Sequence, residues 1–174
     1  MLLRSAIVAT VAVIASFQTA RAADSWFLFS DPNGAFTVQV PGTPTVSHDD
    51  SNKTPDGKVV PTIEYIVDNG TIAVIVSDSD FSRTQADPGK VIDGGVDAIR
   101  SKAKTIIADQ ISTLDGQVGH EIVFNDSDAN RLDDRIYFAG GHMYQAMFVT
   151  TKDATTDQLA DGNRFLASFH FTVK

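Results

Sequence analysis

Between residues 119 and 150 apolar and polar side chains alternate with a period of two, interrupted twice by turn-forming residues. Side chains on a strand point alternately to opposite faces, so the pattern predicts three consecutive antiparallel strands over 119–124, 132–139 and 142–150. The polar run 125–131 makes the first connection. Gly140-Gly141 makes the second, a two-residue hairpin turn whose positions both need positive φ. Registering that hairpin sets Phe138 opposite Met143, Tyr137 opposite Tyr144, Ile136 opposite Gln145 and Arg135 opposite Ala146. With Phe124 opposite Leu132, Glu121 falls opposite Arg135. One face of this meander collects Ile122, Phe124, Leu132, Ile136, Phe138, Met143, Met147 and Val149, and reads as core. The other collects Glu121, Arg135, Tyr137 and Tyr144 beside Val123, Ala146 and Phe148.

Upstream, an apolar opening at 26–29 leads through the turn Asp31-Pro32-Asn33-Gly34 into an alternating strand over 35–40, ended by Pro41-Gly42-Thr43-Pro44. Residues 45–48 continue it after the kink. The polar segment 49–58, with its Pro55-Asp56-Gly57 turn, is expected to be the mobile loop. The next strand, over 59–68, puts Val59, Ile63, Tyr65 and Val67 on one face, and Pro61 marks that end as an edge. Asn69-Gly70 turns the chain into 71–77, apolar on both faces and so expected inside a sheet covered on both sides.

Asp87-Pro88 predicts a helix start, with Ile92, Val96, Ile99 and Ala103 as its apolar stripe and Asp97, Arg100, Lys102 and Lys104 facing water. Gly94-Gly95 weakens its middle by roughly 1 kcal/mol per glycine relative to alanine, leaving tertiary packing to hold it. A strand over 106–114 and the Asp115-Gly116 turn follow. Thr155-x-x-Gln158 fits a capping box for a second helix with Leu159, Phe165, Leu166 and Phe169 on its apolar side, before a last strand over 169–173. About seven strands with two helices, and no repeat or linker, predict one α+β domain: an antiparallel sheet flanked by helices.

The ends and the charge add a compartment. Arg4, the apolar run 6–16 and Ala20-Arg21-Ala22 form a secretory signal peptide, too short for a membrane span, with cleavage expected after Ala22. Residues 23–174 are then the mature chain. Losing Arg4 and Arg21 and no acid takes the formal net charge from −8 to −10. That balance argues against nucleic acid and anionic membranes as partners. The absence of cysteine excludes thiolate chemistry and Cys-based zinc sites, and with the signal peptide points to a bacterial periplasmic or secreted protein.

Asp31-Pro32-Asn33-Gly34-Ala35-Phe36-Thr37-Val38 running into Val40-Pro41-Gly42-Thr43-Pro44, then Gly119-His120-Glu121, the meander with Arg135 and Tyr144, and Phe165-Leu166-Ala167-Ser168-Phe169 together resemble the PsbP-like superfamily. The resemblance spans nearly all of the mature chain. It implies an α/β/α sandwich and an exported protein, and it brings no cofactor and no site residue, because the family's metal-linked and Ran-binding roles match no motif here.

The candidate ligand-binding residues are Glu121, Arg135, Tyr137 and Tyr144, an acid, a base and two phenols on an otherwise apolar face. Their structural reading is a cross-strand ion pair with tyrosine hydroxyls reaching solvent. His120-Glu121 starts like H-E-x-x-H, but Phe124 replaces the second His, and a strand cannot bring both imidazoles to one side. Asp126-Ser127-Asp128 imitates an EF-hand loop, yet Arg131 stands where Gly is needed and Tyr137 where the bidentate Glu belongs. No catalytic residue, metal site or cofactor is assigned. The favoured reading is a non-enzymatic exported domain binding a protein or small-molecule partner. The alternative is a small hydrolase or metal-dependent enzyme using Glu121 with His120, or the acids from Asp126 to Asp134; a third is a purely structural protein without a pocket.

Overall fold

A computed structural model describes residues 26–172; the expected signal peptide, its expected cleavage site and the end of the last predicted strand lie outside the described residues. In chain order the elements are β1 (Phe27–Ser30), β2 (Phe36–Val40), β3 (Thr45–Asp49), β4 (Thr62–Asp68), β5 (Ala73–Asp80), α1 (Pro88–Lys102), β6 (Thr105–Leu114), β7 (Gln117–Asn125), β8 (Asn130–Ala139), β9 (His142–Thr151), α2 (Thr156–Ser168) and β10 (His170–Phe171). Seven strands form one antiparallel sheet in the order β3-β4-β5-β9-β8-β7-β6.

The registers follow from the alternation. Phe138 pairs with Met143, Tyr137 with Tyr144 and Arg135 with Ala146, as the glycine turn requires, and Phe124 pairs with Leu132, which sets Glu121 opposite Arg135. Gly140 and Gly141 have φ of 59° and 88°, a region that side chains with a Cβ resist. β5 is apolar over its first four residues and lies between β4 and β9 with both faces buried.

Each face has its own cover. On one, α1 lies over β7 and β8, and Val96 and Ile99 pack with Ile122, Phe124, Ile136 and Met143. Asp87 caps this helix by accepting from the Lys90 amide at 3.0 Å, with Pro88 at its first position. Its buried residues are Val91, Val96, Ala98 and Ile99, so the apolar stripe is turned slightly from the expected one and Ile92 is only half-buried.

The opposite face is covered by α2 and by a separate three-stranded sheet, β1-β2-β10, which joins the first and last strands of the described residues through β2. This second sheet departs from the single-sheet expectation. Phe36, Val38, Val40, Phe165, Leu166 and Phe169 pack there against Tyr65, Val74, Tyr137, Tyr144 and Phe148. The capping box of α2 is formed by Thr155 and Gln158. Asp31 ties the sheets together: Oδ2 accepts from the amides of Asn33 and Ala35, and Oδ1 accepts from the Tyr65 hydroxyl at 2.8 Å.

Two local expectations need correction. β4 begins at Thr62, because Pro61 has no amide to give a ladder, and Val59 makes only an isolated bridge to Lys53. Residues 49–58 are tied down rather than loose: Asn52 donates to Asp49 and Thr62, the Val60 amide donates to the Asn52 carbonyl, and Thr54 bonds Asp56 and Lys58.

Candidate functional site

The alternation that places Glu121, Arg135, Tyr137 and Tyr144 on one face is realised, and that face is a second core. Arg135 donates through Nε and NH2 to Glu121 Oε1 at 3.1 and 3.0 Å. Its NH1 donates to the Leu166 carbonyl at 3.2 Å, one of the acceptors left over at the C-terminal end of α2. Gln110 donates to the other Glu121 oxygen. The ion pair is therefore a clamp between the sheet and α2. Its residual exposure (26% and 19% of the two side chains) limits its Coulombic worth. Arg135→Met is expected to cost roughly 1–2 kcal/mol, from the unpaired Glu121 and Leu166 carbonyl, in chemical unfolding; unchanged stability would count against the clamp.

Tyr137 and Tyr144 do not reach solvent. Tyr137 is 1% exposed and its hydroxyl is 2.9 Å from Ser112 Oγ. Tyr144 is 4% exposed, edge-on to Phe36 and Phe171 and stacked on His142. Burial, with Asp78, Asp31 and Asp80 nearby, pushes its phenol further up from its ordinary range.

His120 and Glu121, adjacent on β7, project from opposite faces and serve different partners. His120 bonds Asp109, which also takes the fork of Arg100 at 2.8 and 2.9 Å; Arg100 and then His120 hold the Asp109 carboxyl down to about 2. In the connection after β7, Asp126 spends its carboxylate on its own loop, accepting from the amides of Asp128 and Asn130 and from the Asn130 side chain. Among the described residues no group of three or more His, Asp or Glu side chains could hold a metal ion.

The unsatisfied chemistry lies on the α1 face. Asp134 pairs with Met147 on β9 and Ile122 on β7, between the core positions Leu132 and Ile136. It is 1% exposed. Its Oδ2 accepts from Gln145 Nε2 at 2.6 Å, while Oδ1 is buried without a hydrogen-bond partner. Burial pushes this carboxyl up to about 7, against the opposing pull of the Gln145 hydrogen bond and the Lys102 charge. Ser77 Oγ, on the β5 residue paired with Gln145, is buried and unpartnered too.

Asp134 and Gln145 line a cavity of about 560 Å³ between α1 and the sheet, with Gly95, Ala98 and Lys102 on the helix side and Leu132, Met147 and Val149 on the sheet side. A second hollow of about 370 Å³, lined by Phe81, Val91, Gly94 and Met143, lies toward the start of α1. Neither is lined by Glu121, Arg135, Tyr137 or Tyr144. Apolar and polar residues line the larger cavity in equal number, and convergent polar groups that include an acid of raised pKa mark a candidate binding site. The sequence carried the signal: Asp134 and Gln145 are polar residues at period-two positions whose neighbours are core.

No protein-family model matches the sequence, and no curated protein is similar to it. Among solved structures the chain is similar to cyanobacterial PsbP (CyanoP) from Synechocystis sp. PCC 6803, with 15% identity, 88% of this chain and 96% of that one covered, and a TM-score of 0.53. A Pseudomonas aeruginosa protein of unknown function, described as a putative regulator, matches more loosely, at 8% identity over 79% of this chain and 88% of its own with a TM-score of 0.37. Among the described residues no helix is long and apolar enough to cross a membrane. With its large antiparallel sheet, two flanking helices and near-complete overlap with the cyanobacterial structure, the chain has a PsbP-like α+β fold.

Proposed function

We propose that this chain is an exported, non-enzymatic binding domain holding a small, mainly apolar ligand with one polar group between α1 and the seven-stranded sheet. Support comes first from Asp134 Oδ1, a buried oxygen without a partner in a residue that lines a cavity. Buried polar groups in folded proteins are nearly always paired, and leaving one unpaired costs about 1–3 kcal/mol. A ligand group bonding there recovers that cost. The non-enzymatic reading is supported by the two groups an enzyme at this strand would use: His120 is bound to Asp109 and Glu121 is clamped by Arg135. A shared fold does not by itself carry a function, so the reading rests on this cavity.

The test is a fluorescence titration with 1-N-phenylnaphthylamine, which brightens in apolar surroundings. The mature protein should give a saturable rise. Ala98→Phe, which places a ring in the cavity from the buried side of the helix, should weaken the probe at least tenfold while keeping the cooperative unfolding transition. No saturable signal, or equal binding by a folded Ala98→Phe variant, would sink the proposal.

A further inference from the structure

Resting on that reading, we infer that the two cavities are one groove along α1, and that it takes an elongated amphiphile with a cationic head, an alkylammonium, seated at Asp134 with its tail past Met143 toward Phe81. The helix residues lining the two hollows include Val91, Gly94, Gly95, Ala98 and Lys102, whose spacing puts them along one flank. Both hollows include Gly95 and Met143, so they follow one another along the helix axis. The 15 residues of α1 give that axis a length of about 22 Å. The flank is kept low by small residues: a Cβ built on Gly94 would meet nothing within 4 Å. Gly95, which both hollows share, lets the sheet come close there: a Cβ on it would lie 3.2 Å from Ile136 Cδ1 and 3.6 Å from Met143 Sδ, so the helix and these two side chains form a narrow neck between the hollows.

The head-group chemistry follows from what surrounds Asp134. Lys102 from α1 and Gln145 from β9 act on it, and the acids Asp126 and Asp128 of the β7–β8 connection line the same cavity. On the same sheet face lie His120 of β7, engaged with Asp109, and Glu64 of β4, whose carboxyl is itself pushed up by burial. At the far end Asp56 and Asp87 face Lys90. Acids outnumber cations along the groove, in a chain of net charge −8. An anionic amphiphile would be repelled, and an alcohol would offer a single donor. An ammonium carries three N–H donors, enough for Asp134 Oδ1 with others to spare for the Gln145 side-chain oxygen, and makes a charge-assisted bond to a carboxylate. Where Asp134 is protonated before binding, its proton leaves to solvent and the ammonium keeps its own.

Displacement of 1-N-phenylnaphthylamine by octylammonium, octanol, octanoate and butylammonium, all below micellar concentrations, tests this, with calorimetry at pH 6 in two buffers of different ionisation enthalpy. Octylammonium should displace the probe at least tenfold more tightly than octanol or butylammonium, with octanoate weakest, and should release protons at pH 6. Asp134→Asn should abolish both the octylammonium preference and the proton release while still binding the probe. Octanol or octanoate matching octylammonium, with the probe bound normally, would overturn the cationic head and leave the binding reading intact. Butylammonium matching octylammonium would overturn the long groove. A wild-type protein that does not bind the probe would overturn both readings.

Discussion

Replacing Gly119 by alanine is expected to cost roughly 3 kcal/mol or more, among the largest effects of any single methyl group in this chain. Gly119 is buried on β7, opposite Tyr137 on β8 and Ser112 on β6. A Cβ there would lie 2.3 Å from Tyr137 Cδ1 and 2.1 Å from the Ile136 carbonyl oxygen. One obstacle is backbone in the middle of the sheet, and the other is a ring held on every side. The Tyr137 ring crosses the space that glycine leaves so that its hydroxyl meets Ser112 one strand further on. Glycine normally weakens a strand, so its presence here is explained by the aromatic ring that covers it. Urea unfolding of Gly119→Ala and Tyr137→Leu, singly and together, checks the coupling. The double variant should lose clearly less than the sum of the single losses. Additive losses would mean that the ring and the glycine do not share that space.

Much of this arrangement was legible because strand alternation and one glycine turn fix register locally. Gly140-Gly141 sets Tyr137 against Tyr144 and every pairing across β8 and β9 follows from it, while the β7–β8 register rests on Phe124 opposite Leu132. Alternation says which residues share a face; it does not say what covers the face. Tyr137 and Tyr144 were therefore open to a pocket reading, and the small sheet that buries them gives no local warning. Its β10 strand is two residues long, and β2 pairs with it across most of the chain, Phe36 with Phe171. Such long-range pairings depend on the whole fold, with no turn chemistry to announce them. For the site the reverse holds. Asp134 and Gln145 were visible as polar residues between Leu132, Ile136, Met143 and Met147, but the gap beside α1 depends on how the helix sits.

The second large effect is on the pH dependence of stability, and Asp134 carries it. Its folded carboxyl titrates at about 7, raised chiefly by burial from 3.8. A carboxyl whose folded pKa lies above its unfolded one favours folding only while protonated. The penalty is absent below the unfolded value, grows as pH rises through the window between the two, and is complete above the folded one. At 1.36 kcal/mol per unit the full penalty is roughly 4 kcal/mol. Asp134→Asn removes the titration and keeps a carbonyl for Gln145. The variant should therefore match or slightly trail the wild type near pH 4 and exceed it by roughly 2–4 kcal/mol at pH 8, in urea midpoints measured at both pH values. Asp78, also raised by burial despite its bond to His142, contributes to both proteins and drops out of the difference. A difference that stays constant from pH 4 to pH 8 would show that Asp134 ionises as readily folded as unfolded. The expected gain also bears on function: an apolar residue at position 134 would spare the fold this cost, and a destabilising acid beside a cavity is what a binding site under stability–function trade-off retains. The two measurements therefore check each other, since a variant stabilised at pH 8 should be the one that has lost its preference for a cationic head.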